Sequence, residues 1–382
     1  MRYVIGRPNR AIKRPGSRWL TVVCWAAFGL GIVMSISVML AASAYRNARS
    51  DDSYRFQGES GGVTSNNKAS ADGFGQAPLP SPSDKPEATG SKEKETYITV
   101  YLTKEQRTER VTLETYVRGV VAGEMPADFE LEALKAQAIA ARTYIVRRLE
   151  LDDHSGMPAT AAASQANVTD TVDHQIYISL DKLKGLWPKD EQQEKLAKLN
   201  KAVSETRGEI ITYGGEPIQA VFFSTSNGYT ENSEQYFQEE LPYLRSVASP
   251  WDKLISPRYR ETVKLKLSDF YTRLGLGAKK KPVIRVLDKT AGNRIADMVI
   301  DGKTYTGREV REKLGLASSQ FLWKLDGDSI VITTFGYGHG VGMSQWGANG
   351  MAEEGKRAEQ IVTYYYTGTK VEQASKLAYK LQ

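Results

Sequence analysis

Cysteine is nearly absent from this chain of 382 residues. The single cysteine, Cys24, lies inside an apolar run, so we expect no disulfide, thiolate nucleophile or cysteine zinc site in the residues that follow. Only three histidines occur, at the widely spaced positions 154, 174 and 339, and the chain has no HExxH motif. We therefore expect neither a metal nor a cofactor. A carboxylate site with one histidine is the open alternative.

Charged side chains are missing from residues 19–45. About 20 apolar residues cross a bilayer as a helix, whereas the apolar part of a signal peptide has about 7–15. Residues 1–18 hold six basic side chains and no acidic one, which favours a cytoplasmic tail. The sequence predicts a single-pass anchor in the cell membrane at 19–45, with all later residues outside the cytoplasm. Residues 42–44 (Ala-Ser-Ala) resemble a cleavage site, so removal of the segment is the alternative.

The excess of positive charge is confined to that tail. The chain has 51 Lys and Arg against 45 Asp and Glu, a formal net charge of +6. The six basic residues of the tail account for all of this excess, so the remaining residues are balanced in charge. A balanced domain lacks the broad basic surface that attracts nucleic acid. No nucleic-acid partner is expected.

Composition divides the rest of the chain into two parts. Residues 46–95 are rich in Gly, Ser, Asp, Asn and Pro and poor in apolar side chains, so they cannot bury enough surface to fold. We predict a disordered linker there and one large folded domain over residues 96–382. Within that domain, β-rich runs alternate with amphipathic helical patterns in an irregular order. This order predicts an α+β fold rather than a doubly wound sheet.

A glutamate lies in the elbow between two helical patterns, in VVAGEMPADFELEALKAQAIAARTYI. We predict that Thr112 caps the first helix, that Gly123 follows its end at the C′ position, and that Asp128 caps the second helix. Glu124 then lies beside the helix carbonyl groups and apolar neighbours, both of which favour the neutral carboxyl and raise its pKa. A carboxyl protonated near neutral pH can act as a general acid. The alternative is an ordinary solvent-facing glutamate.

Two cations lie on the rim of the apolar face of the second helix. Lys135 and Arg142 fall close together on a helical projection, and cations beside a buried face need anionic or polar partners. In one interpretation they face the same cleft as Glu124, orient it and bind substrate. In the other they form structural salt bridges.

Two further segments have the composition of binding loops. STSNGYTENSE follows an apolar strand and offers Ser224, Thr225, Ser226 and Asn227 to a polyhydroxylated ligand, although it could equally be a turn at Asn227-Gly228. The glycine-rich GYGHGVGMSQWGANGMA lacks the GK[ST] ending of a phosphate loop. We expect close backbone packing beside a ligand there. His339 and Gln345 would be its polar members, and Trp346 a core residue.

Four stretches resemble, in order, the landmarks of the family of stage II sporulation protein D and the amidase enhancers. They are GVVAGEMPADFELEALKAQAIAARTY, AVFFSTSNGYTENSE, LPYLRSVASPWD and GYGHGVGMSQWGANGMA. The resemblance implies a lytic transglycosylase that acts on peptidoglycan glycan strands stripped of their stem peptides and leaves 1,6-anhydro-muramic acid ends. It implies that Glu124 is the catalytic acid and base. The other positions that it places in or near the cleft are Lys135, Arg142, Ser224, Thr225, Ser226, Asn227, Tyr236 and His339.

The same resemblance implies a setting. Its partners would be a membrane-bound amidase, stage II sporulation protein P, and an integral scaffold, stage II sporulation protein M. Its place would be the sporulation septum and the engulfing membrane. Clostridial members of the family can carry a Cys/His zinc site, but the cysteines are missing from this chain. Two rival functions remain at this point: a water-using muramidase with Glu231 or Glu234 as second carboxylate, and a glycan-binding scaffold that localises or stimulates an amidase.

Overall fold

The computed structural model describes residues 95–160 and 162–377. The predicted tail, the anchor at 19–45 and almost all of the predicted linker lie outside these residues. None of the helices in the described ranges combines the length and the apolar character needed to cross a bilayer. The described residues mix helices and strands, which confirms the predicted α+β class.

Helices and strands are numbered here in chain order over the described residues. The helices are α1 (Leu113–Glu124), α2 (Leu131–Glu150), α3 (Leu180–Leu183), α4 (Lys189–Glu205), α5 (Glu234–Phe237), α6 (Asp252–Ile255), α7 (Leu267–Leu274), α8 (Gly307–Leu314), α9 (Gln345–Glu353) and α10 (Ala358–Tyr365). The strands are β1 (Tyr97–Leu102), β2 (Arg107–Thr112), β3 (Val168–Thr169), β4 (Glu209–Tyr213), β5 (Glu216–Pro217), β6 (Phe222–Phe223), β7 (Arg260–Lys266), β8 (Ile284–Lys289), β9 (Ile295–Ile300), β10 (Lys303–Thr306), β11 (Phe321–Asp326), β12 (Ser329–Phe335), β13 (Met343–Ser344) and β14 (Lys370–Gln373).

The main body is built around α2, which packs against α1, α4, α9 and α10. Its buried alanines let these helices approach closely; they are Ala133, Ala136, Ala138, Ala140 and Ala141. Three small sheets surround the helices. Strand β1 lies between an antiparallel β2 and a parallel β3, β4 lies between β5 and β14, and β6 pairs in parallel with β13. The last pair brings the serine-rich and the glycine-rich segments side by side.

Helix α1 begins as predicted and ends later than predicted. The hydroxyl of Thr112 accepts a hydrogen bond from the backbone N–H of Thr115, so Thr112 is the N-cap. The helix continues through Gly123 and Glu124, which places Gly123 inside its last turn and makes the predicted C′ role wrong. Asp128 is not the cap of α2 either, because Glu130 holds the N-cap position.

Residues 260–335 form a second hydrophobic core, which we call the inserted subdomain. It contains the antiparallel sheets β11-β12-β7 and β10-β9-β8 together with α7 and α8. Its buried residues include Phe270, Tyr271, Ile300, Leu314 and Ile330. The sequence patterns did not distinguish this core from that of the main body. The subdomain lies in the chain between the serine-rich and the glycine-rich segments, so it borders the region where those segments meet.

Candidate active site

Glu124 is held at both carboxyl oxygens. It is the last residue of α1 and half-buried. Its Oε1 accepts a hydrogen bond from the backbone N–H of Ile176 at 2.8 Å, and its Oε2 accepts one from the side-chain amide of Gln345 at 3.4 Å. Burial raises the pKa of Glu124 to about 7, and the two hydrogen bonds oppose the rise. The carboxyl is therefore both fixed in orientation and able to exchange a proton near neutral pH.

Two glycines on α1 allow residues 176–178 to come close to Glu124. Residues 176–178 run along the face of α1 that carries Gly119 and Gly123, one turn apart, and Ile178 donates its N–H to the carbonyl of Gly119 at 3.1 Å. A Cβ at Gly123 would lie 2.7 Å from the carbonyl oxygen of Ile176. Glycine in a helix costs about 1 kcal/mol relative to alanine. Here it permits the close approach that aims the Ile176 N–H at the carboxyl.

Replacing Gly123 by alanine is expected to lower both stability and activity. The added methyl group overlaps the backbone of residue 176, so the segment must shift and its hydrogen bond to Glu124 must weaken, at a cost of about 1–3 kcal/mol. Denaturant unfolding measures the first effect, and any cleavage assay measures the second. Gly185→Ala is the matched control, because its Cβ would lie 4.0 Å from the nearest atom. Equal behaviour of the two variants would contradict this role for Gly123.

Gln345 is positioned by the start of α9. Ser344 caps that helix by accepting the N–H of Gly347 at 3.3 Å, and its hydroxyl donates to Asp252. Strand pairing of Ser344 with Phe223 fixes the register of the two segments. Trp346 is a core residue as expected, 2% exposed and in edge contact with Phe129. The glycine-rich segment also packs closely as expected: a Cβ at Gly342 would overlap the carbonyl of Val221.

The serine-rich run is an internal network and not an open ligand surface. Thr225 and Ser226 are 0% exposed, which argues against the predicted contact with a ligand. The Ser226 N–H donates to Asp252 at 2.7 Å, and Asn227 uses its side chain on the carbonyl of Gly292 and the N–H of Tyr229. Ser224 is 7% exposed and lies beside α9, where its carbonyl accepts the Trp346 N–H. Ser224 is thereby joined to α9 one residue beyond Gln345, the residue that donates to Glu124.

Asp252 is the centre of this network, and no role was assigned to it from the sequence. It is fully buried and accepts hydrogen bonds from the hydroxyl groups of Ser249 and Ser344 and from the Ser226 N–H. Burial raises its pKa to about 6. The stretch LPYLRSVASPWD contains it together with Ser249, but nothing in that stretch indicates its partners Ser226 and Ser344. The Ile176 N–H was missed as well, because a backbone group leaves no mark in a sequence.

Lys135 and Arg142 have structural partners. Arg142 is 0% exposed and forms a two-pronged ion pair with Glu114 at 2.6 and 3.0 Å, which argues against direct binding of substrate. Lys135 is 16% exposed and bridges Glu132 at 2.7 Å and Glu205 at 2.6 Å. Its charge is therefore already compensated. Of the two interpretations of these cations, the salt-bridge one matches their contacts.

Both ring nitrogens of His339 are engaged in hydrogen bonds, so the side chain is suited to ring contacts and not to act as a base. Its Nδ1 accepts the Val341 N–H at 3.1 Å, so its Nε2 carries the proton and donates to the carbonyl of Phe222 at 3.0 Å. Burial and the nearby positive charge of Arg311 lower the pKa of His339 to about 3, which keeps the ring neutral. The ring lies 5.3 Å from that of Tyr236. Tyr236 and His339 are thus together, as part of an aromatic group.

The two candidates for a second carboxylate are both engaged. The side chain of Glu231 is 3% exposed and contacts Arg294 at 2.9 Å and the Thr290 hydroxyl at 2.8 Å. Glu234 is paired with Arg245, and although burial raises the pKa of Glu234, a backbone hydrogen bond and this ion pair together lower it below its usual value. In the described ranges, no three side chains of the metal-ligating types His, Cys, Asp and Glu come together.

Fold and site together define an α+β protein built around one half-buried carboxyl. Residues 101–213 match the model of a family described as "Stage II sporulation protein". Two similar proteins are called stage II sporulation protein D. The one from Bacillus subtilis (strain 168) is 49% identical over 278 residues, 72% of this chain and 79% of the relative. The one from Bacillus amyloliquefaciens is 48% identical over 284 residues, 74% of this chain and 80% of the relative.

A third relative, called amidase enhancer, comes from Bacillus subtilis (strain 168). It is 28% identical over 307 residues, 66% of this chain and 40% of the relative. The chain belongs to the stage II sporulation protein D family. This confirms the family that the motifs resemble and places the protein among sporulation proteins.

Proposed function

We propose that this protein is a lytic transglycosylase that cuts peptidoglycan glycan strands from which the stem peptides have been removed. The observation that carries the proposal is the Glu124 carboxyl, with a pKa of about 7 and both oxygens held by hydrogen bonds. Efficient general acids and bases have pKa values close to the working pH. Membership of a sporulation family supports a cell-wall substrate.

One carboxyl is sufficient for this chemistry. Protonated Glu124 donates its proton to the glycosidic oxygen as the bond from that oxygen to C1 of muramic acid breaks. The C6 hydroxyl of the same sugar bonds to C1 and gives its proton to Glu124. The products are a free sugar hydroxyl on one side and a 1,6-anhydro ring on the other, with no water consumed. The Ile176 N–H and the Gln345 amide keep the carboxyl in place during both transfers.

A hydrolase would need a second carboxylate about 5–10 Å from the first. Glu231 and Glu234 are committed to Arg294 and Arg245, which argues against either as a water-activating base. The relative called amidase enhancer keeps a scaffold function as the rival proposal. A Glu124→Gln variant separates that rival from an enzyme, because a scaffold needs no acidic proton at this position.

The setting of the reaction is part of the proposal. The folded domain at residues 96–382 works outside the cytoplasm and is tethered to the sporulating cell's membrane by the segment at 19–45. An amidase such as stage II sporulation protein P strips the strands first, and stage II sporulation protein M holds the assembly. Of the predicted binding residues, Ser224, Tyr236, His339 and Gln345 remain along the path of the strand.

The products of the reaction test the proposal. The full chain is incubated with peptide-stripped glycan strands, and the fragments are identified by mass spectrometry. We expect ends of 1,6-anhydro-muramic acid. Fragments heavier by one water molecule, with free reducing ends, would identify a hydrolase. Strands that are bound but uncut would favour the scaffold.

The cleavage rate is expected to fall as the pH rises through about 7. Glu124 must carry a proton to start the reaction, and burial raises its pKa to about 7. The rate should be level on the acid side of that value and fall by about tenfold per pH unit well above it. A profile with its midpoint at the usual glutamate pKa would contradict the assignment.

The same raised pKa has a consequence for stability. The folded protein holds the Glu124 proton more tightly than the unfolded chain does. The free energy of unfolding therefore decreases as the pH rises above the usual glutamate pKa, and this decrease ends once Glu124 has ionised in the folded protein as well, above about 7. Thermal unfolding of Glu124→Gln should therefore match the native protein near about pH 4 and exceed it near about pH 8.

A further inference from the structure

An aromatic surface lies next to the proposed path of the strand. The ring of Tyr236 is 4.9 Å from that of Phe237 and 5.3 Å from that of His339, and Phe237 is 37% exposed. We call these three rings the aromatic platform. His339 donates to the carbonyl of Phe222, at the start of β6. At the end of β6, Phe223 pairs with Ser344, the residue before Gln345, and Ser224 follows. Two residues of strand span about 7 Å, so the platform is within reach of sugars near the cut.

Two arginines of the inserted subdomain border this platform. Arg308 holds its guanidinium 4.3 Å from the centre of the Tyr236 ring and donates to the Tyr236 carbonyl at 2.8 Å. Arg311 follows it by three residues on α8, on the same side of the helix. Its proximity to the platform shows in the pKa of His339, which its charge lowers more than any other charged group does.

The positive charge of this pair is only weakly compensated. Arg308 pairs with Glu312 at 2.8 Å, but both side chains are about half exposed, at 46% and 53%, and exposed pairs of this kind contribute little. Arg311 donates its Nε–H to the carbonyl of Leu316 and forms no ion pair with any residue of the described ranges. Both guanidinium groups therefore keep N–H donors for a ligand.

The removal of stem peptides changes the charge of the substrate. A stem peptide is joined to muramic acid through an amide on the lactyl group, and hydrolysis of that amide leaves a carboxylate on every muramic acid. A strand that keeps its peptides has a neutral amide at the same atom. Arginine binds carboxylates through paired, charge-assisted hydrogen bonds and gains much less from an amide.

We propose that Arg308 and Arg311 bind the free lactyl carboxylate of a muramic acid that rests on the aromatic platform. In this way the enzyme selects stripped strands by the negative charge on the lactyl group, where unstripped strands have a neutral amide. The inference rests on the proposed transglycosylase function and adds to it the group that is recognised and the residues that recognise it.

Paired substrates test this inference with the full chain. One is peptide-stripped strands; the other is the same strands with their lactyl carboxyls converted to methylamides by carbodiimide and methylamine. The native protein should cleave the carboxylate strands with a kcat/KM about tenfold higher or more, the effect of a lost charge-assisted hydrogen bond. The variants are Arg311→Gln and the double variant Arg308→Gln/Arg311→Gln. Arg273→Gln is the control, because Arg273 also donates to a backbone carbonyl of the subdomain, that of Leu314.

The double variant should lose about tenfold on carboxylate strands and keep its rate on methylamide strands, so that it no longer distinguishes them. Arg273→Gln should distinguish them as the native protein does. Equal cleavage of both substrates by the native protein would overturn the inference and leave the transglycosylase standing. A variant that slows on both substrates alike would also overturn it, since that is the mark of a structural role. Cleavage of neither substrate by the native protein would reject the proposed function itself.

Discussion

Glu124→Gln is expected to reduce strand cleavage by about 10²–10⁴-fold while the protein still binds strands. Glutamine has the shape of glutamate but no acidic proton to give to the glycosidic oxygen. Its side-chain oxygen can still accept the Ile176 N–H that now holds Glu124 at 2.8 Å. The site should therefore keep its form and lose its chemistry. Product release from stripped strands measures the rate, and co-sedimentation with insoluble stripped strands measures binding.

Glu130→Gln is the matched control, because Glu130 is an exposed glutamate at the other end of the same elbow. It should leave the rate unchanged. If Glu124→Gln keeps full activity in sporulating cells, the protein works by binding alone, and the scaffold proposal replaces the transglycosylase. If binding and cleavage disappear together, the variant has disturbed the site. The deciding measurement is then the pH dependence of cleavage by the native protein.

Glu231→Leu is expected to lower the free energy of unfolding by about 3–5 kcal/mol. The substitution leaves the charge of Arg294, 2% exposed, buried without its anionic partner. Activity should fall only in proportion to the folded fraction. A catalytic base would behave differently, since its loss removes activity from protein that is still folded. Urea unfolding together with activity per folded molecule distinguishes the two outcomes.

The double variant Glu231→Leu/Arg294→Met makes this test sharper. Replacing both members of a buried ion pair by apolar residues of similar volume is often close to neutral for stability. Stability should return, and cleavage should return with it if Glu231 is structural. Stable but inactive protein would revive the muramidase proposal. Glu234→Gln, which alters a partly exposed pair with Arg245, should change stability by less than about 1 kcal/mol.

Local signals in the sequence predicted the framework of the site well. The start of α1 at Thr112 and the mixture of β-rich and helical segments follow from periodicity and capping, which depend on neighbouring residues. The C′ role of Gly123 failed because that glycine answers a contact from residue 176, far along the chain. In the sequence, a glycine required by a turn looks the same as a glycine required by close contact with another segment.

Partners distant in the chain account for the other differences between expectation and structure. A helical projection places Arg142 on a rim, but it cannot show that Glu114 of the preceding helix reaches over and buries it. Serine and threonine suit a ligand surface and a buried hydrogen-bond network equally well. At residues 224–227 a buried network forms because Asp252 and Ser344, from later segments of the chain, supply the hydrogen-bond partners. A second core within residues 260–335 likewise requires knowledge of which strands pair.

The two hydrogen bonds to Glu124 span very different stretches of chain, 52 residues to Ile176 and 221 residues to Gln345. Contacts of such separation form late, because long loops must close before they do. During synthesis Glu124 emerges early and stays without its glutamine partner until almost the whole chain has followed. A chain interrupted anywhere before residue 345 would carry the carboxyl in an unfinished setting. For a protein proposed to cut the cell wall, this order of assembly acts as a safeguard against active fragments.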